Sequence, residues 1–499
     1  RSRAATLDAM NAASTGHPPH SAPPHTGRFP SNFVWGAATS AYQIEGATAA
    51  DGRTDSIWDT FSRREGAVFQ RQSGEPACGH YHRLDEDVGL MRRIGLQAYR
   101  FSIAWPRVQP LGPSSRNDAG LAFYDRLVDA LLGAKIEPWV TLYHWDMPLW
   151  AFERGGLLNR DFALWFADYA ALVVDRLSDR VSHWMTLNEP QVFCKFGYGD
   201  GTNAPGLRLS LEEQLQAVHI SLLAHGRACR VIRARAKRPA RVGWAVVGRT
   251  DFPVGRRADG VDVASLSDGP LHFVPPSEAD IAAARRSMMA ITTRDLWNNT
   301  WYNDPVFFGE YPEDGLSLYA PAAPKVEPGD MELIRQPLDF LGVNIYDGRA
   351  VRAGNDGTAR VVPFAPGHPQ TLIRWFITPP ALRYGPRFLY ERYRVPVYIT
   401  ENGLSCMDWV QGEGTDARVS DPQRVDYTRR YLIELSKAVA DGAEIGGYFH
   451  WSLLDNFEWA EGYQQRFGLV HVDIPTGRRT LKDSAHWYGQ IIASNGAGL

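Results

Sequence analysis

The sequence predicts an α/β fold: a single (β/α)8 barrel of the TIM type, with extended loops at the C-terminal face of its strands. Three observations predict it. Eight short apolar runs recur along the 499 residues, helical periodicities lie between them, and no linker divides the chain. The runs are continuous, not alternating, as expected for parallel strands buried on both faces. A doubly wound open sheet is the alternative, but no G-x-G-x-x-G or phosphate loop follows an early strand.

The elements follow in order. Residues 1–27 are rich in Ala, Ser, Pro, His and Gly and lack periodicity, so a disordered tail is expected there, followed by one catalytic domain over 28–494. Candidate strands are Phe33–Ala37, Ala98–Ile103, Pro138–Tyr143, Val181–Leu187, Val242–Val247, Phe340–Ile345, Val397–Thr400 and Gly447–Trp451. Helices are expected at Asp85–Ile94, Leu121–Leu132 and Asp161–Leu177, where apolar residues recur at three- and four-residue steps, with Asn159 or Asp161 as N-cap for the third. Further helices are expected at Leu211–Arg235, Ser277–Asn299 and Asp421–Ala440. The stretches Gly199–Ser210, Thr250–Ser277 and Arg349–Thr378 are too long for minimal connections, and in a barrel such loops build the rim of a site.

Composition narrows the function classes. A formal net charge of −3 gives no reason to expect nucleic acid or an anionic membrane as partner. The Arg-rich stretch Arg227–Arg241 reads as the exposed end of a long helix. Cys78, Cys194, Cys229 and Cys406 are scattered, without zinc-ligand spacing, so idle thiols in a reduced protein are expected and no metal or cofactor is called for. No apolar run reaches membrane-spanning length and no signal-peptide core is visible, so a cytoplasmic location is expected. The 16 Trp, 20 Tyr and 22 Phe belong mostly to packing, although sugars also present flat C–H faces to aromatic rings.

Two segments carry the chemistry. Thr186-Leu187-Asn188-Glu189-Pro190 and Ile399-Thr400-Glu401-Asn402-Gly403 each place a glutamate at the end of a buried-type strand. Carboxylates are costly to bury, so such a residue is either paired or engaged in chemistry. Two facing one cavity are the minimum for cleaving a glycosidic bond. The other strand ends gather Gln43, Glu45, Arg100, Trp105, Arg107, His144-Trp145-Asp146, Asn344, Tyr346 and the run Trp451–Trp459. Amides, carboxylates, an imidazole and indoles at one end of a barrel supply the donors and acceptors that sugar hydroxyls require. For Asn344 alone, a site role and a strand-end structural role are equally good readings.

Over residues 28–494 the chain resembles the β-glycosidases of glycoside hydrolase family 1. The resemblance rests on Phe33–Ser40, Tyr42–Gly46, Tyr99–Ser102, Tyr143–Asp146, Leu187–Pro190, Ile399–Gly403, Trp451–Trp459 and Arg466–Leu469, in order and at barrel spacing. It implies Glu189 as general acid/base and Glu401 as nucleophile, with carboxyls about 5–5.5 Å apart as in a retaining mechanism. It also implies a sugar site of Gln43, His144, Asn188, Tyr346, Trp375, Trp451, Glu458, Trp459 and Phe467, with Arg100 and Asn344 supporting the nucleophile. The expected partner is a small carbohydrate: a β-glucoside, β-galactoside or β-fucoside, or a cello-oligosaccharide. Glu458 stands where the family reads the 4- and 6-hydroxyls, so a 6-phosphate would meet like charge. Glu189 is present where thioglucosidases carry Gln. A transglycosidase, or much less readily a silent sugar-binding barrel, is the alternative. The chain departs from the family pattern at Gly79, Leu149-Trp150, Gln191, Asn203 and Arg374, several of which are expected on the leaving-group side.

Overall fold

A computed structural model describes residues 28–257, 264 and 273–499; the predicted tail of residues 1–27 lies outside them. Eight parallel strands close a barrel: β1 Val34–Ala38, β2 Ala98–Ser102, β3 Glu137–Tyr143, β4 His183–Asn188, β5 Arg241–Val246, β6 Leu341–Asn344, β7 Val397–Asn402 and β8 Ile445–Trp451. Closure comes from β1 pairing β8, with Val34 opposite Gly447 and Ala38 opposite Trp451. All eight predicted strands are present, with ends shifted by a residue or two.

Two cores fill the fold. The larger lies between strands and helices and includes Trp35, Leu142, Trp184, Val242 and Val343. The smaller plugs the barrel, where Trp139 stacks on His183 at 4.0 Å and meets Phe340, Tyr398 and Phe449 at 5.0–5.4 Å. Trp139 sits early in β3, so apolar bulk fills the lower barrel and leaves the carboxyl ends of the strands to polar residues. Gly36 is required here, because a Cβ would lie 2.5 Å from the Phe449 ring.

The main surrounding helices are α1 Leu84–Ile94, α2 Asp118–Gly133, α3 Phe162–Leu177, α4 Leu211–Arg235, α5 Glu278–Met289, α6 Ala381–Tyr393, α7 Pro422–Ala440 and α8 Asp483–Ala493. Capping boxes start α4 (Ser210 with Glu213) and α5 (Ser277 with Asp280). For α3, Asn159 accepts from the Asp161 backbone N–H at 2.9 Å, while neither predicted cap side chain bonds within the helix.

Three expectations are corrected. The helix predicted to Asn299 stops at Met289, because the Asn299 amide donates to the carbonyls of Arg249 (2.7 Å) and Met288 (2.8 Å) and draws the chain back to the barrel. A separate helix follows at Thr300–Phe308. The stretches read as irregular at 250–277 and 349–378 contribute Asp251–Pro253, Arg349–Ala353 and Ala359–Val362 to a three-stranded sheet over the rim. Helix α6 was not predicted, since Gly385 and Pro386 interrupt its pattern. No helix among the described residues is long and apolar enough to cross a membrane.

Candidate active site

A cavity of 580 Å³ opens at the carboxyl ends of the strands. At its bottom Arg100 projects from β2, 1 % exposed, and organises the polar centre. Its Nη1 donates to Glu401 Oε1 (2.6 Å) and the Thr400 carbonyl (3.1 Å), its Nη2 to Asn188 Oδ1 (2.6 Å), and its Nε to Thr141 Oγ1 (3.2 Å). A guanidinium buried this deeply demands anionic or carbonyl partners, and the ends of β4 and β7 provide them.

Glu401 lies within β7 and is 3 % exposed. Besides Arg100, its Oε2 accepts from the Tyr346 hydroxyl at 2.6 Å. Burial raises its pKa, while the Arg100 charge and these hydrogen bonds oppose the rise. Glu189 follows the last residue of β4 in a left-handed conformation (φ 50°, ψ 64°), fixed by its N–H donating to the Ala245 carbonyl at 2.8 Å. Such a backbone is costly for a residue with a Cβ and persists where the surroundings over-determine it. It turns the chain from β4 into the short helix Pro190–Cys194 and sets the Glu189 carboxyl against the cavity. There Oε1 accepts from Asn344 Nδ2 at 2.6 Å, with no cation bonded to it. Burial, then the charge of Glu401, push its pKa well above the ordinary carboxylate range. Burial raises both carboxyls, and they differ in what opposes the rise: a guanidinium and a phenol at Glu401, a neutral amide at Glu189. One carboxylate has its charge neutralised by an arginine; the other is favoured as the neutral acid.

Asn344 links them, donating to Glu189 and to Asn188 Oδ1 (3.1 Å) while accepting from Thr400 Oγ1 (2.6 Å). The site reading of this residue thus wins over the strand-end one. Asn188 Nδ2 donates to His144 Nε2 at 3.1 Å, and burial and Arg100 keep that imidazole neutral. His144 Nδ1 has no partner and is buried. The His144 ring lies near-parallel to Trp451 (5.9 Å, 21°) and Trp459 (6.0 Å, 19°), and Trp145 meets Trp459 at 4.5 Å. Glu458 accepts from Gln43 Nε2 at 3.3 Å; burial and Glu401 push it up to about 8.

Of the predicted site residues, Glu189, Glu401, His144, Asn344, Tyr346, Trp375, Trp451, Glu458 and Trp459 line the cavity. Four stand behind that lining. Arg100 and Asn188 act through hydrogen bonds, and Gln43 reaches the cavity through Glu458. Phe467 packs edge-on to Tyr346 (6.2 Å) and against Trp375 (6.0 Å). Glu45 pairs with Arg107 at 3.0 Å and accepts from the Tyr124 hydroxyl at 2.6 Å, a structural use of two strand-end charges. Among the departures only Asn203 lines the cavity; Gly79, Leu149, Trp150, Gln191 and Arg374 do not, which corrects their expected placement.

The outer wall consists of Val192, Phe196, Thr202, Val247, Trp297, Ile373 and Asp347, none foreseen as site residues. Val192 and Phe196 lie in the short helical turns after β4 and the others on loops, where no local periodicity marks them. Trp297 was assigned to a helix that ends before it. No three His, Cys, Asp or Glu side chains gather as a metal site among the described residues. The thiols of Cys78, Cys194 and Cys229 are buried and pushed up by burial, which disfavours a thiolate nucleophile.

Comparison with known proteins agrees with this geometry. The model of glycosyl hydrolase family 1 matches residues 25–268 and 271–497. A 1,4-beta-D-glucan glucohydrolase of Thermotoga neapolitana is 40% identical over 472 residues, covering 94% of this chain and 99% of that protein. A bifunctional beta-D-glucosidase/beta-D-fucosidase of Bifidobacterium breve is 38% identical over 491 residues, covering 94% and 99%. The structure of a beta-glucosidase from Thermotoga maritima in complex with glucoimidazole superposes with a TM-score of 0.81 at 38% identity, over 94% of this chain and 99% of that one. Matches of this extent span every barrel strand and the loops that build the cavity, and on them the chain belongs to glycosyl hydrolase family 1.

Proposed function

We propose that Glu401 and Glu189 carry out the retaining β-glycoside hydrolysis of this family, on terminal non-reducing β-D-glucosyl residues, with β-fucosides and β-galactosides also accepted. The carrying observation is the electrostatic asymmetry of the pair: Glu401 bonded to Arg100 and Tyr346, Glu189 to a neutral amide. Glu401 Oε attacks the anomeric carbon as the glycosidic bond breaks, and the Glu189 carboxyl gives its proton to the departing oxygen. In the second step Glu189, now ionised, takes a proton from water. That water attacks the anomeric carbon, breaks the glycosyl ester and restores the β configuration. In this reading His144 meets a sugar hydroxyl, Asn188 bonds the 2-hydroxyl from behind the lining, and Trp451 offers a face for the C–H surface.

The relatives named as glucosidase, glucan glucohydrolase and glucosidase/fucosidase support a glucosyl preference with some tolerance at the 4- and 6-positions. The argument against 6-phosphoglycosides shifts its ground. Glu458 is pushed up to about 8, so repulsion by its charge is weakened near neutral pH. No Lys or Arg lines the cavity among the described residues, however, so a phosphate dianion would find no counter-charge.

The test is hydrolysis of aryl β-D-glucoside, β-D-galactoside and 6-phospho-β-D-glucoside, with NMR reading the anomer first released. Turnover of the unphosphorylated sugars, β-anomer first, is expected. Release of the α-anomer first would overturn the two-step mechanism, and preference for the phosphorylated sugar would overturn the specificity.

A further inference from the structure

Four carboxyls of the cavity have donors. Glu189 has Asn344, Glu401 has Arg100 and Tyr346, Glu458 has Gln43, and Glu461 at the mouth accepts from Gln464 (2.6 Å) and Gln465 (3.2 Å). Asp347 also lines the cavity, yet no donor or cation among the described residues meets it. It follows Tyr346 on the loop leaving β6. Its neighbour Gly348 packs against the Thr250 carbonyl on the loop after β5, a Cβ there lying 3.0 Å away. In the barrel order β5 lies opposite β1, after which Gln43 comes, and β6 lies two strands from β8, after which Glu458 and Trp459 come. Asp347 thus stands one residue further from the barrel than Tyr346 and lines the cavity with Thr250, Asn203 and Trp297 of the loops after the strands.

Asp347 is half-buried, so its carboxylate meets the solvent of the cavity and can exchange that solvent for a ligand group. The guanidinium on its own loop, Arg349, is held by Asp251 at 2.8 and 2.9 Å. Behind the loop, Tyr427 and Tyr431 of α7 donate to the Tyr346 carbonyl at 2.9 and 3.0 Å. The remaining charged groups facing the cavity are the acids Glu189, Glu401, Glu458 and Glu461. With no described side chain bonded to it, Asp347 is left to hydrogen-bond what occupies the cavity, solvent or substrate. We propose that Asp347 selects the aglycone, accepting a hydrogen bond from a hydroxyl or ammonium group on it and excluding aglycones that carry an anion. This rests on the β-glycosidase reading above, and it assigns the leaving-group class to neutral polyhydroxylated or amine-bearing moieties. Burial pushes the Asp347 carboxyl up to about 6, so the selection acts above that pH and fades below it.

The test uses four β-D-glucosides of para-substituted phenols with leaving groups of similar acidity: 4-methyl, 4-hydroxymethyl, 4-aminomethyl and 4-carboxymethyl. Each kcat/KM is read relative to the 4-methyl compound, which offers Asp347 nothing. At pH 7.5 the wild-type ratio of aminomethyl to carboxymethyl is expected to be about tenfold or more, with hydroxymethyl above methyl, as charge-assisted hydrogen bonds allow. In Asp347→Asn the ratio should fall to within about threefold. The wild-type ratio should also shrink between pH 7.5 and 5, an arm that needs no variant. A wild-type ratio near one, or a ratio kept in Asp347→Asn, would overturn the assignment. Failure to turn over even the 4-methylphenyl glucoside would instead overturn the glycosidase reading.

Discussion

Glu401 shares its two oxygens between a guanidinium and a phenol, and that division sets what its substitutions should do. Glu401→Gln leaves a neutral amide that neither attacks the anomeric carbon nor answers Arg100; kcat should fall by about ten-thousand-fold or more in a protein with unchanged circular dichroism. Tyr346→Phe removes one donor to a buried charge, worth about 1.5–3 kcal/mol, so kcat/KM should fall by roughly 10- to 100-fold. The sign of its pH effect also follows. Losing a hydrogen bond to the anion raises the Glu401 pKa, so the acid limb of the kcat/KM profile should move to higher pH; a limb moving lower would contradict the role. Glu189→Ala should slow alkyl glucosides by about 10² to 10⁴-fold, and activated aryl glucosides far less in the first step. Added azide should then restore turnover and yield the β-glycosyl azide, detected by NMR.

At the scale of elements, the site depends on how strand ends approach one another. Gly403 follows β7 so closely on β8 that an added Cβ would lie 1.7 Å from the Trp451 carbonyl oxygen. That contact is with backbone, so Gly403→Ala must displace either the Glu401 strand end or Trp451. A loss of stability of about 1–3 kcal/mol is expected from overpacking, together with a drop in kcat/KM. Denaturant midpoints and glucoside kinetics would check both; wild-type kinetics would mean the strand ends are free to yield. The loop after β8 is held differently. Asp455 accepts from Lys482 (2.7 Å), Arg466 (2.8 Å) and the Gly468 N–H (2.9 Å). Burial would raise this carboxyl, but Lys482, Arg466 and Arg424 outweigh it and hold it low. The loop presenting Glu458 and Trp459 is thus anchored on charge that stays ionised through the neutral range.

At the scale of the whole molecule, gathering acids in one cavity has a thermodynamic consequence. Glu189, Glu401 and Glu458 have folded pKa values above their ordinary ones, as do Asp146 and Asp347. The native state therefore holds protons that the unfolded chain releases, and stability falls as pH rises toward about 8, the value for Glu458. Below about 6.5 the buried histidines act the other way. His225 and His450 are depressed to about 3, so the unfolded chain binds their protons first and stability rises with pH. The two trends separate above about 6.5, where the ligand-free protein should lose thermal stability up to about pH 8. Glu458→Gln should flatten that decline, as Tm measured across pH 6.5–8.5 would show; an unchanged slope would remove Glu458 as its source.

The barrel was legible because each buried parallel strand must be a continuous apolar run, a local property of the chain. The two glutamates were legible because a carboxyl closing such a run has few structural excuses, and the motif resemblance around them gave the family. Local pattern failed where the decisive partner is distant in sequence. Asn299 ends a helix by bonding to Arg249, and Asp251–Pro253 becomes a strand only through Arg349–Ala353. The same holds in the site. The family resemblance gave Glu189 and Glu401 different roles, whereas the physical difference between them comes from Arg100 of β2 and from Asn344 and Tyr346 at the end of β6. The outer wall of the cavity, with Phe196, Trp297 and Asp347, is likewise a product of segments distant in sequence meeting in space. Residue type and spacing determined the fold and the chemistry available to it. Only tertiary placement decided which carboxyl meets a guanidinium and which a neutral amide, because burial and neighbouring charges shift pKa values and neither is a property of a residue alone.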